Sequence, residues 1–186
     1  EFANQGLTSD DCPIMAFSVS EDELRAMDVP PLVGHLAAWN YFQSAESKAN
    51  TQFIKAWKKK MGSKRVTNDP MEAHYIGFNM WVKAVEKAGT TDTDAVEAAM
   101  IGMTYPNLTG GVAVMNANHH LSKPVLIGEI QEDGQFETVW STPDTVIGDA
   151  WSDFLPGSKT ILADWTAPVS CGNFDITLGK CSGQNY

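Results

Sequence analysis

Cysteine is scarce in this chain, with 3 in 186 residues. That excludes a small scaffold held by many disulfides, and no four ligands fall at zinc-site spacing. Positive charge is also short: 13 Lys and Arg stand against 23 Asp and Glu, a formal net charge of −10. Such a balance suits nucleic acid poorly, because phosphates reward cations. No apolar run approaches the ~18–20 residues of a spanning helix, and no signal peptide is visible. There is no Gly-rich phosphate loop. The residues around Ser18, Ala16-Phe17-Ser18-Val19-Ser20, lack the glycines of a nucleophile elbow. No enzyme signature, internal repeat or low-complexity tract appears, and no cofactor is expected. What is present, 43% hydrophobic and 19% charged residues, is enough for a folded core. The length allows one domain or parts of two.

Local patterns place the elements. Glu1 to Gly6 reads as the last turn of a helix closed by glycine, so the chain is expected to begin inside something larger. Pro13 to Phe17 reads as a short buried strand, and Ser20 with Glu23 as a capping box for a helix from Glu21 to about Met27. Gly34 to Phe42 reads as a strand or an extended crossover. Ser47 to Met61 is helical, with Phe53, Ile54, Trp57 and Met61 on one face. A second helix starts at Asn68-Asp69-Pro70 and stops at Gly89, with apolar residues from Ala73 to Ala88 at spacings of three and four. A third runs from about Asp92 to Met100. Pro106 to Gly111 is a loop, and Gly111 to Met115 opens a final strand system. From Val125 to Trp140 the run reads as a β-hairpin turning at Asp133-Gly134, because glycine tolerates the positive φ of such turns. Alternating strands and helices point to an α/β fold. Trp151 and Trp165, in a loop-rich tail, suggest that it packs back onto the body.

Several side chains invite chemistry. Adjacent His119 and His120 cannot easily face one ion, and His35 and His74 are remote in sequence, so no metal site is expected. Lys55, Lys58, Lys59, Lys60, Lys64 and Arg65 form a basic cluster, most simply a solvated helix face. Ligands of α/β sheets bind at the C-terminal ends of strands, which makes Phe17, Ser18 and Val19 candidates. Asp69, Pro70 and Glu72 lie in the first turn of the long helix. There a carboxylate is favoured by the dipole and could also accept hydrogen bonds from an amide NH2. Cys171 and Cys181 bracket a polar loop and are either two free thiols or a bridge worth about 3 kcal/mol. Cys12 is expected to be a small buried residue before a strand. Asn107-Leu108-Thr109 matches a glycosylation sequon.

One phrase carries more than secondary structure: His120-Leu121-Ser122-Lys123-Pro124-Val125, then Ile127-Gly128, Ile130, Asp133-Gly134-Gln135-Phe136 and Val139-Trp140. It resembles the late hairpin of the solute receptors of urea and short-chain amide ABC transporters. Phe17 to Glu23, Gly34 to Ser44, Thr67 to Gly77 and Gly148 to Asp153 resemble further segments of that family in the same order. The resemblance implies a type I periplasmic-binding-protein-like α/β fold: portions of two three-layer lobes with a C-terminal antiparallel hairpin. Residues 1–40 would belong to the C-terminal lobe, 41–110 would return into the N-terminal lobe, 111–145 would close the C-terminal lobe, and 146–186 would form a tail. It implies a Cys171–Cys181 disulfide and a periplasmic location. Its partners would be a small neutral ligand (urea or a short amide), an ABC permease and a missing N-terminal half. Contacts carried over residue by residue fall on Phe17, Ser18, Val19, Asp69, Pro70 and Glu72. A regulatory amide sensor, a branched-chain amino acid receptor and an amide hydrolase are the alternatives.

Overall fold

In the computed structural model, residues 2–149, 151, 161–162, 174–175, 177 and 180–181 are described. They fall into two units, Glu1–Gly148 and Asp149–Tyr186. The first unit has a sheet half and a helical half. The sheet half holds β1 (Met15–Ala16), α1 (Glu21–Leu24), β2 (Leu36–Trp39), β6 (Leu126–Ile130) and β7 (Phe136–Ser141). Its strand order is β1-β2-β6-β7, with β1 and β2 parallel and the other pairs antiparallel. Between β2 and β6 the chain leaves to build the helical half. This comprises α2 (Lys48–Met61), α3 (Asp69–Ala88), α4 (Thr93–Met100) and a small antiparallel sheet, β3 (Thr104–Pro106), β4 (Val112–Met115) and β5 (Leu121–Ser122). The second unit pairs β8 (Ile161–Leu162), β9 (Phe174–Asp175) and β10 (Lys180–Cys181) antiparallel.

Caps fix the helices where the sequence places them. Ser47, Asn68 and Asp92 accept from the backbone N–H three residues on, and Gly89 takes a left-handed φ of 66° after α3. The hairpin also forms as expected, with Gly134 at φ 74°. Gly128 on β6 lies against the Phe42 ring, where a Cβ would come within 2.6 Å, and Phe42 stacks on Phe136 at 4.6 Å. With Leu24, Ala37, Leu126 and Ile130, these rings form the core of the sheet half. Ile76 and Met80 of α3 meet Ala113 and Met115 in the helical half.

Four expectations need correction. The Pro13–Phe17 strand shrinks to the half-buried β1 at the sheet edge, with Ile14 and Phe17 exposed. The helix from Glu21 ends at Leu24, because Ala26 and Met27 donate three residues back instead of four. Cys12 is exposed in the turn before β1 instead of buried. Pro106 pairs in β3 with Val112 instead of opening a loop. Asn107 of the sequon is buried and donates to Thr109 Oγ1 at 2.6 Å. Cys171 lies outside the described residues, so the Cys171–Cys181 expectation does too, as does most of the tail around Trp165. No described helix is long and apolar enough to cross a membrane, and no described cluster of His, Cys, Asp or Glu could hold a metal.

Candidate functional site

The chain crosses between the two halves twice, and the crossings lie side by side. The outward one follows β2 through Asn40, Tyr41, Phe42 and Gln43. The return runs through Lys123 and Pro124. Asn40 Nδ2 donates to the Pro124 carbonyl at 2.7 Å, although 84 residues separate them. Around this junction sit the polar side chains that the fold buries most deeply.

Three carboxylates are buried here: Glu21, Asp69 and Glu72. Glu21 opens α1, and its Oε1 accepts from the Gln43 N–H at 2.6 Å. Burial pushes its pKa up to about 7, with the negative charges of Asp69 and Glu23 adding to the effect. Asp69 opens α3 and accepts from the Asn40 N–H at 2.8 Å. Glu72, one turn on, accepts a hydrogen bond from Lys123 Nζ within a buried ion pair. Burial raises the pKa of both acids, and Lys123 pulls each back. Tyr41 is fully buried between them, bonded at 2.7 Å to both Asn50 Oδ1 and Thr67 Oγ1. Burial also raises the Tyr41 pKa.

The candidate residues divide between exposed and buried positions. Phe17 is 74% exposed, and Ser18 and Pro70 are exposed. Val19 is half-buried against the sheet core, with its carbonyl held by Trp39 Nε1 at 2.8 Å. Asp69 and Glu72 face inward as described. The two candidate segments are joined next door, where Asn68 Nδ2 donates to Ser20 Oγ at 3.1 Å. Beside Pro70 lies a groove of about 660 Å3, lined by Glu23 of α1 and by Phe53, Trp57, Asn68, Met71 and Phe78 of the helical half. Sequence reasoning missed Glu21, Gln43, Tyr41 and Lys123. Apart from the bonds of Tyr41 and Gln43 to Asn50, their partners lie 22 to 92 residues away, so no local spacing marks them.

A family model described as "periplasmic binding protein domain" matches residues 1–157. A solute binding protein of an ABC transporter from Rhodopseudomonas palustris, in complex with 3,4-dihydroxybenzoic acid, superposes with a TM-score of 0.67 at 22% identity, over 78% of this chain and 41% of that one. An amino acid ABC transporter substrate-binding protein from Pseudomonas fluorescens gives 0.64 at 20% identity, over 80% and 40%. A leucine binding protein from Thermotoga maritima gives 0.60 at 17%, over 75% and 39%. These likenesses show a type I fold shared with transporter solute-binding proteins. A curated relative from Geobacillus stearothermophilus, named limonene hydroxylase, is 34% identical over 113 residues, which is 61% of this chain and 21% of that protein. The chain thus spans about two fifths of the length of these solved structures.

Proposed function

The chain belongs to the periplasmic binding protein domain family, and from that premise we propose that it is part of an extracytoplasmic receptor that captures urea or a short-chain amide for an ABC importer. The sheet half and the helical half then belong to the two lobes, and the paired crossings are the hinge. Residues 1–40 and 111–145 serve the C-terminal lobe and 41–110 the N-terminal lobe, with the remaining cleft wall supplied by sequence outside this chain. Phe17, Ser18 and Val19 contact the ligand from one side and Asp69, Pro70 and Glu72 from the other. Closure of the lobes excludes water, no covalent step occurs, and the loaded receptor docks on a membrane permease.

One observation carries the choice of ligand. Among the described residues, three buried carboxylates surround the junction, and Lys123, the one buried lysine or arginine there, is already paired with Glu72. Such a site disfavours an anion and favours a neutral molecule rich in N–H donors. The apolar groove beside Pro70 supports a second reading, a receptor for an amino acid with a branched apolar side chain.

Isothermal calorimetry of the full receptor with urea, acetamide and leucine tests the proposal. Heat with urea or acetamide and none with leucine is expected. Binding of leucine alone selects the second reading, and turnover of acetamide would sink both.

A further inference from the structure

Gln43 occupies an unusual place at the junction, because all four of its polar groups are engaged, two towards each half. Towards the sheet half, its backbone N–H donates to Glu21 Oε1 at 2.6 Å and its Nε2 donates to Gln135 Oε1 at 2.7 Å, in the turn between β6 and β7. Towards the helical half, its Oε1 accepts from the Thr67 N–H at 2.8 Å, just before α3, and its carbonyl accepts from Asn50 Nδ2 at 2.9 Å, on α2. The Thr67 backbone N–H can only donate, so the carboxamide must present its oxygen there and its NH2 to Gln135. One planar amide therefore spans the two halves in a single orientation.

We infer that Gln43 is the positioning residue that sets the angle between the two halves, and through it the ease with which the cleft closes. The inference rests on the two-lobe receptor reading. The neighbouring links bind differently. Asn40 joins one crossing to the other, and Lys123 ties the return crossing to α3. Gln43 alone among these three holds the β6–β7 turn and the start of α3 with the same side chain. A rotation of one half against the other must stretch the Gln135 arm or the Thr67 arm. Without the amide, conformers away from the present angle gain population on the order of tenfold, because a lost hydrogen bond shifts a two-state balance by about that factor.

The test is a distance measurement that needs no ligand. Spin labels are introduced through a noncanonical amino acid at Lys59 on α2 and Glu137 on β7, both exposed. Pulsed electron resonance then reads the distance between the halves. Gln43→Ala should shift and broaden the distribution. Gln43→Glu, which keeps the acceptor for Thr67 but loses the donor, should do so less. Gln135→Ala cuts one arm in a turn and reads the same effect should Gln43→Ala not fold. Folded Gln43→Ala or Gln135→Ala protein with the unaltered distribution overturns the inference. A urea titration of the unsubstituted receptor runs in parallel. If it shows no binding, the ligand reading fails, while the label distances still decide the role of Gln43.

Discussion

Lys123 Nζ donates to Glu72 Oε2 inside the protein, although the two residues are 51 apart in sequence. Both side chains are almost wholly shielded from solvent. A pair of this kind adds little over a well-packed apolar pair, but leaving one member alone is expensive. Lys123→Met is therefore expected to lower unfolding stability by about 3–5 kcal/mol, and Glu72→Gln combined with Lys123→Met to recover much of that loss. Thermal unfolding of the three proteins in the absence of ligand measures it. A double variant no more stable than Lys123→Met would show that the charge pairing is not what matters.

Glu21 links acidity to stability. Its folded pKa is about 7 against an ordinary 4.5. A buried acid with a raised pKa stabilises the fold below its unfolded value, and that contribution is lost as the pH climbs through the folded value. Stability should fall between about pH 4.5 and pH 7, on the order of 3 kcal/mol from this group, and burial of Asp69 and Glu72 acts with the same sign. Glu21→Gln keeps an acceptor for the Gln43 N–H and should flatten this slope. Denaturation midpoints from pH 5 to pH 8 decide it, and an unchanged slope would discard the assignment to Glu21.

Gly128 leaves no room for a side chain, since a Cβ would come within 2.6 Å of the Phe42 ring and 3.0 Å of Phe136 Cβ. Gly128→Ala must push apart the stacked pair at the centre of the sheet half. A loss of about 1–3 kcal/mol is expected, together with a changed near-ultraviolet circular dichroism signal. A variant as stable as the original would mean that the rings yield freely.

Phe17 is 74% exposed and is not one of the buried residues that form the core of the sheet half. Phe17→Ala and Ser18→Ala should leave stability within about 0.5 kcal/mol and weaken ligand binding. Thermal melts and calorimetry on the same preparations separate the two effects. Unaltered affinity in both variants would remove this loop from the binding site.

The sequence foretold the elements whose cause is local. Ser47, Asn68 and Asp92 cap α2, α3 and α4 within four residues of the N–H groups they satisfy, and Gly134 turns the hairpin within its own loop. The junction was hidden because its forces are not local. Glu21 and Glu72 look like ordinary first-turn acids that complement a helix dipole. Only the fold brings Gln43 beneath one and Lys123 against the other. Cys12 misled for a related reason: cysteine is commonly buried, but Cys12 lies exposed ahead of the edge strand β1.

The paired crossings also bear on how the chain is made. β2 ends at Trp39, and its neighbour β6 begins only at Leu126. A ribosome therefore releases the whole helical half while β2, which can already pair with β1, still lacks β6 on its other side. That half can mature early around its own core of Ile76, Met80 and Met115, whereas β2 keeps an open edge until β6 emerges. The sheet closes only after β6 emerges, and until then the open edge of β2 is free to pair with a wrong neighbour.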